Sequence, residues 1–274
     1  MTELVVRRLL IDLETPVRRH WCGGDAFRTA FFNALSMSFP VGEQFFIDSV
    51  RAGWKALPAA QQAAFKDEVH GFIGQEATHR RIHGLFNAQV EKNGLLNEWE
   101  PRARARLKLM EGLDPRHGLA ITAANEHFTA LFAEWMLRHT TWLDDTEPRL
   151  KTMWLWHSAE EAEHKCTAFD LYKALGGSEA WRLKWMRRVT VIFLSDTLRQ
   201  TVHNLRRDGT LWQWRTWRSA ASFLLGRRGL LRISYRPWRA WFRADFHPSQ
   251  QHSPLSENWL RDNQAAYTRV GQPA

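Results

Sequence analysis

Two short segments of this 274-residue chain carry carboxylates and imidazoles at a spacing that metal sites use. Gln75-Glu76-Ala77-Thr78-His79 and Glu160-Glu161-Ala162-Glu163-His164 each contain a Glu-x-x-His pair, Glu76/His79 and Glu161/His164. Residues three apart share one face of a helix, so each pair aims two donors in one direction. Two further carboxylates sit in apolar settings: Glu43, in Phe39-Pro-Val-Gly-Glu-Gln-Phe-Phe, and Glu126, in Ala123-Ala-Asn-Glu-His-Phe. One Glu from each of two helices, plus Glu-x-x-His from each of two more, is the ligand set of paired-metal carboxylate bundles. The metal ligands expected are therefore Glu43, Glu76, His79, Glu126, Glu161 and His164. Glu160 and Glu163 compete with Glu161, but only Glu161 stands three residues before His164. Carboxylate and imidazole suit iron first, with manganese or zinc also compatible, and no thiolate pattern competes. Glu76 and Glu126 are expected to bridge two metal ions, with a histidine on each.

Two more histidines follow from helix geometry. His83 lies four residues beyond His79, and His157 four before Glu161. A rise of about 1.5 Å per residue places each roughly 6 Å from its ligand pair. They are expected to line an entrance for substrate or oxygen, to add ligands, or to hold ligands from behind.

The elements that must position these residues read as helices. Apolar residues at Phe27, Phe31, Phe32, Leu35, Phe39, Phe45, Phe46 and Val50 keep helical spacing over 25–55. Pro40 predicts a kink there or a fresh start. A second helix is predicted from Pro58 to Val90, a third from Pro115 to His139, and a fourth from Pro148 to Leu175. The first and second helices, like the third and fourth, are joined by few residues. About twenty residues separate the second from the third, with a short helix expected near 104–110. Two hairpins joined by one crossover predict a ferritin-like four-helix bundle, all-α, over residues 1–180.

Residues 181–274 read as a helical extension packed on that bundle. Between Trp181 and Phe246 there are fifteen basic and three acidic side chains, a net charge of +12 against +9 for the whole chain. The remainder is mildly acidic. The same stretch from Trp181 to Phe246 also holds seven of the fifteen tryptophans. Trp and Arg interleaved on amphipathic helices suit three surfaces: a cap on the bundle, the interface of an anionic bilayer, or nucleic acid. No nucleic-acid motif accompanies them, so the last ranks lowest. No run of 18 uncharged apolar residues is present to cross a bilayer. The first residues lack a secretory h-region, and two cysteines far apart give no disulfide framework, so a cytoplasmic location is expected, with contact at a membrane as an addition.

Four motifs in order resemble a known bacterial family: Phe39-Pro-x-Gly-Glu-x-Phe-Phe, Gln75-Glu-x-x-His-x-x-x-His83, Asn125-Glu-His-Phe-Thr-Ala, and Trp156-His-x-x-Glu-Glu-x-Glu-His164. They are similar to the predicted metal-dependent hydrolases over roughly residues 12–250, including Phe246-His247-Pro248. The resemblance implies metal-dependent chemistry. The ligand set itself resembles that of di-iron oxidases and oxygenases, so an O2-activating oxidoreductase is the first expectation. It would act on a small hydrophobic or lipid-like molecule and draw on an electron donor. Hydrolysis by a metal-activated water is the alternative, and metal handling without catalysis is a third. A homodimer is also compatible with the sequence.

Overall fold

The computed structural model describes residues 4–271, and the chain is an all-α helical bundle with one short pair of strands. The helices are α1 (Ala26–Ala56), α2 (Ala59–Lys92), α3 (Trp99–Lys108), α4 (Pro115–Arg138), α5 (Pro148–His164), α6 (Thr167–Ala174), α7 (Glu179–Asp208), α8 (Trp214–Leu225), α9 (Leu230–Ala240) and α10 (Leu255–Asp262). Strand β1 (Arg7–Leu9) pairs antiparallel with β2 (Tyr267–Arg269), bringing the two ends of the described chain together.

Local chemistry sets the helix limits. Asp25 caps α1 by accepting from the Arg28 N–H, and Asp114 caps α4 with Pro115 at its first position. Ser178 caps α7, which stops at Gly209 with a left-handed φ of 76°. Only Leu57 and Pro58 separate α1 from α2, so these long helices fold back on each other as a hairpin. Helix α4 packs on α1, α5 and α7, and α3 lies on α1 within the α2–α4 connector.

Two sequence expectations change in detail. Helix α1 runs without interruption through Pro40. The fourth helix loosens just after His164, where Lys165 and Cys166 keep right-handed helical dihedrals before α6 resumes. It is a bend in a helical path. The strand pair and helices α9 and α10 carry no strong sequence signal, and the short connector helix begins five residues earlier than expected.

The apolar core divides into two clusters, and the division positions the polar residues. Along α1, Phe39 belongs to one cluster and Phe46 to the other, with Glu43 between. Along α2, Ile82 and Phe72 flank Glu76 and His79 in the same way. Ala159 and Ala168 flank Glu161 and His164, and Met136 and Ala123 flank Glu126. A layer of carboxylates and imidazoles therefore crosses the bundle between two greasy ones.

Candidate metal centre

All six expected ligands are buried and fall into two adjoining groups. Glu43, His79 and His157 form one, and Glu76, Glu126, Glu161 and His164 form the other; within each group the donor atoms lie within 4.8 Å of one another. His164 Nε2 stands 3.0 Å from Glu76 Oε1, 3.3 Å from Glu126 Oε2 and 3.6 Å from Glu161 Oε2. Donors bound at about 2.1 Å to one ion lie about 3 Å apart when they meet at right angles, so these spacings are those of a shared cation. Glu161 joins the groups: its Oε1 is 3.2 Å from His79 Nδ1 and 2.9 Å from His157 Nε2, while Oε2 faces His164. The expectation that Glu76 and Glu126 bridge is corrected accordingly. Glu161 is the carboxylate whose two oxygens face different groups, because it projects from the middle of the polar layer, between His157 and His164 of its own helix.

The outer hydrogen bonds fix which nitrogen of each histidine faces inward. Asn87 Nδ2 donates to the Ser36 carbonyl, which Pro40 leaves free by having no N–H to offer four residues on. Asn87 Oδ1 therefore accepts from Ser36 Oγ at 2.7 Å, and Ser36 Oγ in turn accepts from His83 Nδ1 at 2.8 Å. His83 Nε2 is left to accept from His157 Nδ1 at 2.6 Å, so His157 presents a bare Nε2 to the centre. On α2, Gln75 Nε2 donates to the Val5 carbonyl, leaving its Oε1 to accept from His164 Nδ1 at 2.8 Å. His79 Nε2 donates to Glu160 Oε2 at 3.0 Å, so Nδ1 is its inward atom. One nitrogen from each of three histidines thus converges with four carboxylates, the other ring nitrogen being engaged outside the centre. Both oxygens of Glu43, Glu76 and Glu126, together with Glu161 Oε2, His79 Nδ1 and His164 Nε2, are buried without a hydrogen-bond partner. Buried acceptors in such number require cations, and the donor types fit metal ions.

The electrostatics of the ion-free chain report the same deficit. Burial, with Glu76 beside it, holds the Glu43 carboxyl well above the usual carboxylate range, and burial raises Glu76 in turn. Burial pushes Glu126 up to about 8 against the pull of His164. Glu161 goes the other way despite its burial, held well below the usual range by His164 and His157. Burial opposes the charged form of His164, yet Glu126 and Glu161 hold it well above the ordinary imidazole value. Burial likewise opposes His79, but its bonds with Glu160 and Glu161 carry it up to about 10. Protons here occupy positions that a metal ion fits. Burial and the neighbouring His79 drive His157 down to about 4, consistent with its bare Nε2.

Several contributors gave no sequence signal. Arg7 donates to Glu160 Oε1 at 3.1 Å and to Glu163 Oε2 at 2.7 Å, neutralising the carboxylate behind His79. It reaches them because the N-terminal segment lies directly on α2. A Cβ at Gly71 would come within 2.5 Å of Leu4, and one at Gly74 within 2.3 Å of Val6, so side chains at those positions would lift the segment away. Of the two outlying histidines, His157 faces both the centre and an adjoining cavity, whereas His83 stands behind it as its hydrogen-bond acceptor. His247 is held by Asp170 Oδ1 at 2.7 Å and belongs to neither group.

A cavity of about 270 Å³ ends on His157 and Glu161. Phe31, Leu35 and Phe39 of α1, Phe132 of α4, Trp154 of α5 and Phe193 of α7 form its walls, and Leu230, Leu231, Tyr235 and Trp238 of α9 help close it. A second cavity, about 180 Å³, touches Glu43 from the side of α3, and Phe39, Thr129 and Phe193 line both.

No curated protein and no solved structure matches this chain. A family model described as predicted metal-dependent hydrolase matches residues 5–252, a stretch that holds every residue of the centre described above. That finding overturns the expected O2-activating oxidoreductase. The donor set misled because carboxylate and imidazole hold redox-active and redox-silent ions alike. Metal dependence, common to both readings, stands. The chain belongs to the family of predicted metal-dependent hydrolases.

Proposed function

We propose that the chain is a hydrolase that cleaves an ester or similar acyl bond of a small hydrophobic molecule at a centre of two divalent ions. Glu43, His79 and His157 would hold one ion and Glu76, Glu126, Glu161 and His164 the other, with Glu161 Oε1 facing the first group. When bound, such a pair supplies Lewis acidity, lowering the pKa of a water and polarising the carbonyl it attacks. Every other contribution comes from the chain. Gln75, Glu160 and His83 accept from the outward nitrogens, and Arg7 donates to Glu160, opposing the rise in its pKa that burial causes. The cavity against His157 and Glu161 takes the apolar part of the substrate and excludes bulk water from that face. Water contributes its oxygen to the acyl carbon, the bond to the leaving oxygen breaks, and the proton passes to the departing alkoxide. No oxidant or reductant enters the balance.

The observation that carries this reading is the convergence of partnerless buried acceptors, at metal-ligand separations, at the end of an apolar cavity. A graded series of p-nitrophenyl acyl esters tests it, using metal-stripped protein and protein reconstituted with zinc, manganese or iron. Hydrolysis should require an added ion and run equally in air and under argon. It should also gain about three- to fourfold in kcat/KM per added CH2 until the cavity is full. Full turnover by the stripped protein, or turnover that consumes dioxygen, would overturn it.

A further inference from the structure

The α8–α9 region combines three properties that nothing in the metal chemistry requires. Between Asp208 and Asp245 the chain has eight arginines and no acidic residue. Arg243 pairs with Asp245, but Arg215, Arg218, Arg227, Arg228, Arg232, Arg236 and Arg239 are exposed and have no carboxylate partner among the described residues. Large apolar side chains stand among them in water: Trp212 is 90% exposed, Trp214 64% and Leu225 63%.

Helix α8 shows the arrangement most clearly. Thr216, Ala220 and Phe223 are its buried side. Trp214, Arg218, Ala221 and Leu225, spaced by four, three and four, form a row on the opposite face, where a helix of a water-exposed cap would carry polar residues. The Arg218 guanidinium lies 5.0 Å from the Trp214 ring centroid and that of Arg215 6.0 Å, so cation and ring are presented together. Helix α9, packed on α8, repeats the composition with Leu231, Ile233 and Tyr235 exposed beside Arg232, Arg236 and Arg239.

We infer that the outward face of α8 and α9 docks on an anionic phospholipid bilayer. Exposed arginines without protein carboxylates complement lipid phosphates, and tryptophan beside arginine matches the depth at which ring and charge sit in an interface. Aliphatic Leu225, Leu231 and Ile233 offer nothing to a nucleic acid, while acyl chains accept them. The cations over Trp214 also occupy a ring face that base stacking would need. No helix among the described residues is long and apolar enough to cross a membrane, so the contact proposed is peripheral. The face belongs to the same two helices that help close the apolar cavity, through Leu224, Leu230 and Leu231. Docking would set that cavity beside a source of hydrophobic substrate. The docking itself does not rest on the hydrolase reading.

Flotation of the full chain with vesicles tests this directly. Binding should be strong to phosphatidylcholine vesicles carrying about 30% phosphatidylglycerol and weak to pure phosphatidylcholine, and it should fall as salt rises from about 50 mM to about 500 mM. Arg215→Gln with Arg218→Gln should weaken anionic binding by more than about tenfold. Trp212→Ala with Leu225→Ala should weaken it at high salt too, while melting and metal content stay unchanged. Equal binding to both vesicle types, no binding to either, or undiminished binding by both double variants overturns the inference. Capture of duplex DNA or RNA without vesicle binding also overturns it and gives the face to nucleic acid.

Discussion

Two regions of this protein hold like charges that the chain itself does not neutralise. In the polar layer of the bundle, four carboxylates are buried, and both oxygens of Glu43, Glu76 and Glu126 and one of Glu161 lack hydrogen-bond partners. On α8, α9 and the turn between them, seven arginines have no carboxylate partner among the described residues, but they stand in water. The difference lies in the solvent. Buried, an uncompensated charge costs several kcal/mol, so its counter-ion must be local, stoichiometric and held by fixed donors. Exposed, the same deficit costs little, is screened over about 10 Å, and favours a diffuse anionic surface. A centre and a docking face are thus two answers to one electrostatic problem.

Removing counter-ions should separate the regions most sharply. A strong chelator should lower Tm by about 10 °C, since ligand at 1,000 times its Kd stabilises by about 4 kcal/mol and each kcal/mol shifts a chain of this size by about 2–4 °C. High salt alone should leave Tm nearly unchanged. An equal response to both would erase the contrast. Within the centre, Glu161→Gln should abolish both ions and lower turnover by about 100-fold or more, whereas Glu43→Gln should release one ion and leave one. Elemental analysis of the two variants beside the parent, expected to hold about two ions per chain, checks the role given to Glu161. Gln75→Ala, which frees His164 Nδ1 from its acceptor, should weaken metal binding by about 10- to 100-fold with the ligands intact. An undiminished affinity would mean that the tautomer of His164 is set otherwise.

Acidity gives a smaller and oppositely signed test. Glu126 and His79 have folded pKa values raised above their unfolded ones, to about 8 and about 10. The stability they lend the ion-free chain is fully present below the unfolded values and is lost as pH rises through the folded ones. Metal binding must expel those protons, so affinity should rise from pH 6 toward about pH 8. The gap in Tm between loaded and stripped protein should widen by a few degrees over that range, and a gap that narrows would reverse the assignment. The smallest effect belongs to the outer region: Arg218→Gln should change stability by less than about 0.5 kcal/mol, as surface substitutions do.

The helices and the donors were legible because both depend on local spacing. Apolar periodicity marks α1, the prolines at 58 and 115 mark where α2 and α4 begin, and an i, i+3 pair shows its shared face in any four residues. What supports the donors was not legible. Arg7 lies over 150 residues before Glu160, and only the approach allowed by Gly71 and Gly74 makes it a neighbour. Pro40 read as a fault in α1, whereas in the fold the carbonyl it releases anchors the chain from Asn87 to His157. The choice between oxidation and hydrolysis was illegible for a chemical reason: one set of oxygens and nitrogens serves both.

The pairing of β1 with β2 imposes an order in time. Arg7 is synthesised early, yet the strand that carries it gains its partner only when residues 267–269 have left the ribosome. Until then the segment that carries Arg7 has only its contact with α2 to hold it, and the second half of its support arrives with the last described residues.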